Sequence, residues 1–158
     1  MKAAVIYYSY SGNTRAVAQA LSAHLKGEYE VQAIELTALD EPASFLGQCR
    51  RAFSHTRAQI APVDLDLSGC DLICVGTPVW AFGPVPAVNT YLDRCSGVEN
   101  KEVILFATCG SGTGNERCLQ YMQGLLAKKG AKGFKRFSIQ QSKVKDKEFI
   151  LSRLKKIF

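Results

Sequence analysis

The sequence predicts an α/β fold: a three-layer arrangement in which a five-stranded parallel sheet, in the order 2-1-3-4-5, carries helices on both faces. Three observations predict it. Apolar, strand-like runs alternate five times with segments of helical spacing, the pattern of repeated βα units. Runs one, three and four are apolar almost throughout, as strands buried on both faces are. Runs two and five carry interspersed charge, as edge strands do, which places three inner strands between two outer ones.

The elements follow in order. Residues 2–8 form the first strand, and residues 13–26 a helix with Val17, Leu21 and Leu25 on one face and Gly27 placed to end it. Residues 29–36 alternate apolar and polar, which suits a strand with a solvated side. Residues 40–55 enter and form a second helix, with Phe45, Leu46, Cys49 and Phe53 expected as its inward face. The third strand covers residues 70–76. Pro86 sits well in the first turn of a third helix, with Val88, Tyr91, Leu92 and Cys95 as its apolar stripe and Gly97 as its stop. Residues 103–107 form the fourth strand. The fourth helix carries Leu119, Met122 and Leu126 and stops at Gly130. Residues 133–139 make the fifth strand, and residues 145–157 the last helix, with Ile150, Leu154 and Ile157 inward.

The totals exclude several classes. The chain has 158 residues, enough for one domain spanning 1–158 with a substantial core. No apolar run approaches the ~20 residues of a membrane span, and no secretory leader is recognisable, so a cytoplasmic location is expected. The six cysteines form no C-x-x-C pair and only two histidines accompany them, which argues against structural zinc and against a disulfide framework. The net charge of +6 is uneven. Residues 1–127 carry nine basic and twelve acidic residues, whereas residues 128–158 carry eleven and two.

Three loops leave the same end of such a sheet, where ligands bind. The first, Ser9-Tyr10-Ser11-Gly12-Asn13-Thr14, joins strand to helix with hydroxyls, a glycine, an amide and no acid. Unpaired N–H groups at a helix N-terminus, with added hydroxyl donors, suit a phosphate group; a plain helix cap at Ser11 or Asn13 is the simpler alternative. The second loop places Trp80 and Phe82 between Gly76 and Gly83, with Pro78 holding Thr77 extended. Trp80 is the only tryptophan, suited to stacking on a flat ring or, alternatively, to closing the core over the third helix. The third loop carries Gly110, Gly112 and Gly114, which expose backbone N–H groups. A phosphorylated planar cofactor satisfies all three loops at once.

The first loop, with Gly76-Thr77-Pro78-Val79-Trp80 after the third strand, resembles the flavodoxin family, and the element order carries the resemblance over essentially the whole chain. That resemblance implies a flavodoxin-like fold and bound FMN. It implies that Ser9, Ser11, Gly12, Asn13 and Thr14 hold the phosphate. Thr77, Pro78, Val79, Trp80 and Phe82 would border the isoalloxazine, as would Thr108, Cys109, Gly110, Ser111 and Gly112. No catalytic side chain and no metal are implied. Cys109 is the one thiol placed for reactivity, against the alternative of a small residue filling a tight turn.

The implied function is electron carriage between partners through the flavin. The alternatives are a small FMN-dependent NAD(P)H or quinone-type reductase, and a non-redox phosphate-binding or interaction module on the same scaffold. A receiver domain shares the winding but needs clustered acids at the end of the first strand, where Tyr7, Tyr8 and Ser9 stand. The chain departs from acidic flavodoxins in its basic balance, in Arg15 beside the phosphate loop, and in a third loop without tyrosine or acid. The absence of acids from all three loops is expected to ease formation of the reduced flavin anion. The basic last helix suits an acidic redox partner, an anionic membrane surface or simple packing with a solvated face. Nucleic acid is not an expected partner, since no exposed aromatics interleave the basic residues.

Overall fold

In the computed structural model, which describes residues 1–41 and 43–158, five parallel strands form one sheet in the order β2-β1-β3-β4-β5. They are β1 (Lys2–Tyr7), β2 (Glu30–Glu35), β3 (Leu72–Pro78), β4 (Glu102–Cys109) and β5 (Gly133–Gln140). The helices are α1 (Asn13–Leu25), α2 (Phe45–Phe53), α3 (Pro86–Arg94), α4 (Asn115–Lys128) and α5 (Lys147–Leu154). The winding and the strand order are those expected from the sequence. The inner strands β3 and β4 are buried at every position but Glu102, while β2 is exposed or half-exposed along its length.

Alternate residues of each strand point to opposite faces, and this divides the core into two layers. Ala4, Ile6, Ile73, Val75, Val103 and Leu105 pack with α3 and α4. Ala3, Val5, Leu72, Cys74, Ile104 and Phe106 pack with α1 and α5. Helix ends follow their local chemistry. Beyond α4, Gly130 has φ +90°, its N–H donates to the Ala127 carbonyl at 2.9 Å and that of Ala131 to Leu126 at 3.2 Å, the paired closure that a left-handed glycine permits. Gly27 takes no left-handed conformation; α1 closes through the Tyr29 N–H donating to Leu25 at 2.9 Å.

Two helices are shorter than expected. The side chain of Ser44 caps α2 by accepting from the Gly47 N–H at 3.2 Å, and Asp146 caps α5 by accepting from Phe149 at 2.9 Å. Pro42, in the expected entry to the second helix, lies outside the described residues. The expected inward face of α2 is a correction: Phe45, Leu46 and Phe53 are exposed, and the buried pair is Gln48 and Ala52. Gln48 and Ala52 turn inward, and the large apolar side chains face outward.

Candidate functional site

All five strands run parallel, so their C-terminal ends and the loops that follow lie along one edge. The loops are joined directly. The buried hydroxyls of Thr14 and Thr108 share a hydrogen bond of 2.8 Å, tying the first loop to the third. The Val79 N–H donates to the Thr108 carbonyl at 2.8 Å, tying the second to the third. Between them opens a cavity of about 350 Å³, within the usual range for small-molecule sites, ~300–1,000 Å³.

Its wall contains Ser11, Asn13 and Thr14 from the first loop, Pro78, Val79 and Trp80 from the second, and Thr108, Gly110 and Ser111 from the third. These are nine of the fifteen residues implied by the sequence. The other six do not line it. Ser9 accepts from the Arg15 N–H at 3.1 Å and so satisfies one donor of the first turn of α1. Gly12 precedes α1 at φ +88°, with open space where a Cβ would project; the left-handed backbone there needs glycine. Thr77 is fully buried and closes its loop by accepting from the Val85 N–H at 3.2 Å. Gly112 turns the third loop at φ +78°.

Phe82 packs against Gly114, where an added Cβ would lie 2.2 Å from its ring. It belongs to a two-residue turn in which Trp80 and Gly83 exchange backbone hydrogen bonds of 3.0 Å, with Ala81 at φ 46° and Phe82 at φ 67°. Consecutive left-handed residues make the tight hairpin turn, and they aim Phe82 at the third loop. Cys109 is buried, with its thiol directed at the Ile139 carbonyl at 3.9 Å. Burial pushes this thiol up, against the smaller opposing pull of the Gly112 N–H. It is a packed neutral thiol, the simpler of the two readings.

Trp80 lines the cavity yet is only 7% exposed. Its ring meets Tyr8, Tyr10 and Phe45 edge-on, with centroids 5.6–5.9 Å apart. The open aromatic surface is therefore supplied by Tyr10 and Phe45, both in the cavity wall and both more than half exposed. Tyr10, Phe45 and Gln141 line the wall without having been expected as site residues; Tyr10 stands within the first loop, but only its polar neighbours were assigned to the phosphate. Phe45 read as core, and Gln141 follows β5 in a short 3₁₀ turn. The strand-end rule was the one signal for Gln141.

No charged residue lines the cavity. Glu41 accepts from the Tyr8 hydroxyl, and Glu35 from Arg15 at 2.7 and 2.9 Å. The Arg15 hydrogen bond holds Glu35 below its ordinary value, while burial and then Glu41 push Tyr8 up. The donor set fits FMN: N–H groups at the start of α1 and the side chains of Ser11, Asn13 and Thr14 suit a phosphate, and apolar Pro78 and Val79 and the Gly110 backbone share the wall with them. Among the described residues, no group of His, Cys, Asp and Glu is arranged to hold a metal, and no helix is long and apolar enough to cross a membrane.

Comparison with known proteins agrees. Residues 1–140 match the family described as NADPH-dependent FMN reductase. No curated protein sequence matches the chain. Among solved structures, a flavoprotein from Lactobacillus acidophilus in complex with FMN superposes with a TM-score of 0.65 at 22% identity, over 93% of this chain and 98% of that one. Oxidised flavodoxin 2 from Bacillus cereus gives 0.61 at 17% identity, over 99% of each chain. The apo form of an NADH:FMN oxidoreductase gives 0.67 at 18%, over 99% of this chain and 86% of that one. With its parallel 2-1-3-4-5 sheet and three convergent loops, the chain is a flavodoxin-like protein whose cofactor is FMN, and it belongs to the NADPH-dependent FMN reductase family.

Proposed function

We propose that this protein is an FMN-dependent oxidoreductase that takes electrons from NAD(P)H and passes them to a quinone-type acceptor. The observation that carries the reading is the uncharged cavity whose wall combines helix-start donors with the exposed rings of Tyr10 and Phe45. Family membership supports the nicotinamide donor. When bound, FMN supplies the capacity to accept and release electrons.

The chain's residues bind and orient. Ser11, Asn13 and Thr14, with the first N–H groups of α1, hold the phosphate. Val79, Trp80, Gly110 and Ser111 border the ring, and Thr14 with Thr108 fixes the separation of the loops. Tyr10 and Phe45 offer a flat apolar approach for the second substrate. The wall contains no ionisable acid or base other than the Tyr10 phenol, so no side chain is assigned as a catalytic acid.

The test is anaerobic mixing of the FMN-loaded protein with NADPH or NADH. Loss of oxidised-flavin absorbance, followed by reoxidation on adding a quinone, is expected. Persistence of the oxidised spectrum with both nucleotides overturns the reductase reading. A second reading, an electron carrier docking an acidic redox protein in the cytoplasm, is favoured by the basic surface of residues 128–158. Reduction by such a partner, without reduction by either nucleotide, would select it.

A further inference from the structure

Tyr8, just beyond β1, makes two contacts that bear on the cavity. Its ring meets Trp80 edge-on at 5.9 Å, and its hydroxyl donates to the Glu41 carboxylate. Burial first, and then Glu41, push the phenol up, so Tyr8 stays protonated and remains the donor. Glu41 stands four residues before Phe45. The Phe45 ring lies 5.8 Å from Trp80 and 6.4 Å from Tyr10. One hydrogen bond therefore joins the residue packed on Trp80 to the segment that leads into Phe45.

Packing gives α2 little hold of its own. Of its nine residues only Gln48 and Ala52 are buried, and Phe45, Leu46 and Phe53 are exposed. Ser44 caps the helix, and Asp40 is held by Arg51 at 2.8 Å and by the Gln59 N–H at 2.9 Å. None of these four residues lines the cavity. An element with few buried apolar contacts opens locally at small cost. Trp80 lines both the cavity and a void of about 10 Å³ bounded in part by Glu41 and Gln48. The segment carrying Glu41 is thus also part of the seat of Trp80.

Resting on the reductase reading, in which Tyr10 and Phe45 receive the second substrate, we propose that the Tyr8–Glu41 hydrogen bond is a latch. Glu41 is a positioning residue: it holds the start of α2 so that Phe45 and Trp80 present one fixed aromatic wall to a flat, quinone-type acceptor. With the latch broken, Thr14 and Thr108 still tie the flavin loops together, but Phe45 is free to swing from the wall. The effect falls on acceptor binding and not on electron transfer itself.

Trp80 is the only tryptophan, so its fluorescence in the full chain before FMN is added reads the wall without any turnover. Tyr8→Phe keeps the ring on Trp80 and removes the donor, Glu41→Ala removes the acceptor, and Glu41→Gln keeps an acceptor oxygen. Acrylamide quenching of Trp80 should rise at least twofold in Tyr8→Phe and in Glu41→Ala, no further in their double variant, and stay near wild type in Glu41→Gln. The FMN-loaded protein is then reduced with dithionite and mixed with a quinone. The quinone concentration that half-saturates reoxidation should rise at least fivefold in the first two variants, while the limiting rate holds. Lys135→Gln, which breaks a surface ion pair with Glu102 of 2.8 Å, should match wild type in both measurements. Unchanged Trp80 quenching in Tyr8→Phe and Glu41→Ala overturns the proposal. So does an unchanged half-saturation, an equal change in Lys135→Gln, or reoxidation of wild type that never saturates. If these latch effects appear but neither NADPH nor NADH reduces the wild-type flavin, the latch stands and the nicotinamide reading falls.

Discussion

Thr14 and Thr108 are the pair on which the site's shape turns. Both are buried, they lie 94 residues apart, and each hydroxyl is the other's side-chain partner. Thr14→Val keeps the shape, removes one hydroxyl from the cavity wall and leaves that of Thr108 buried without this bond. The cost should be about 1–3 kcal/mol in chemical denaturation. The Thr14→Val/Thr108→Val double variant should lose less than the sum of the singles, since the unpaired hydroxyl is then gone. Strict additivity would show that the pair does not couple the loops. At this scale the sequence was informative where chemistry is local. Hydroxyls before a helix and glycines after a strand were legible as donors. Which of them reach the cavity was not, because Ser9, Thr77 and Cys109 are spent on contacts with Arg15, Val85 and Ile139, and only the folded chain supplies those partners.

Among the elements, β3 and β4 pair through Gly76 and Phe106. A Cβ on Gly76 would lie 2.1 Å from the Phe106 ring, which is itself stacked on Phe137 at 5.7 Å. Gly76→Ala must therefore displace an aromatic ring in a closed core. We expect a loss of about 1–3 kcal/mol, read as a lower denaturation midpoint at unchanged m value. An unshifted midpoint would mean the ring has room to move. The order of strands was legible because burial on two faces leaves no room for charge, and the charged runs had to lie outside. The orientation of α2 was not. Helical spacing groups Phe45, Leu46 and Phe53 on one side but does not say whether the sheet covers that side. Packing chose Gln48 and Ala52, and Phe45 became part of the cavity wall instead.

For the whole molecule, two consequences of charge and burial can be measured. His55 stacks on Tyr121 at 4.1 Å, its Nδ1 is buried without a hydrogen bond, and it takes a left-handed backbone at φ 50°. Burial, then Arg57 and Arg117, hold its folded value below the ordinary 6.5. The unfolded chain then binds the proton more tightly, so stability rises with pH through this window and falls as pH drops from about 7.5 to 5.5. Denaturation midpoints should show that decline, and His55→Asn, which tolerates the backbone, should flatten it; an equal decline in the variant would assign it elsewhere. The uncharged cavity, as the proposed flavin site, has a second consequence. With no carboxylate in its wall, reduction to the anion should occur at a higher potential than in acidic flavodoxins, as potentiometry of the FMN-loaded protein can determine. A potential as low as theirs would show that more distant carboxylates set it.

The central claim, that three turns at one edge of the sheet hold FMN together, is tested most directly by titrating flavin-free protein with FMN and following the quenching of flavin fluorescence. One site saturating at micromolar or lower concentration, weakened by Thr14→Val, is the predicted result. An unquenched flavin at micromolar protein, or saturation indifferent to Thr14→Val and to blocking the phosphate by using riboflavin, would contradict it.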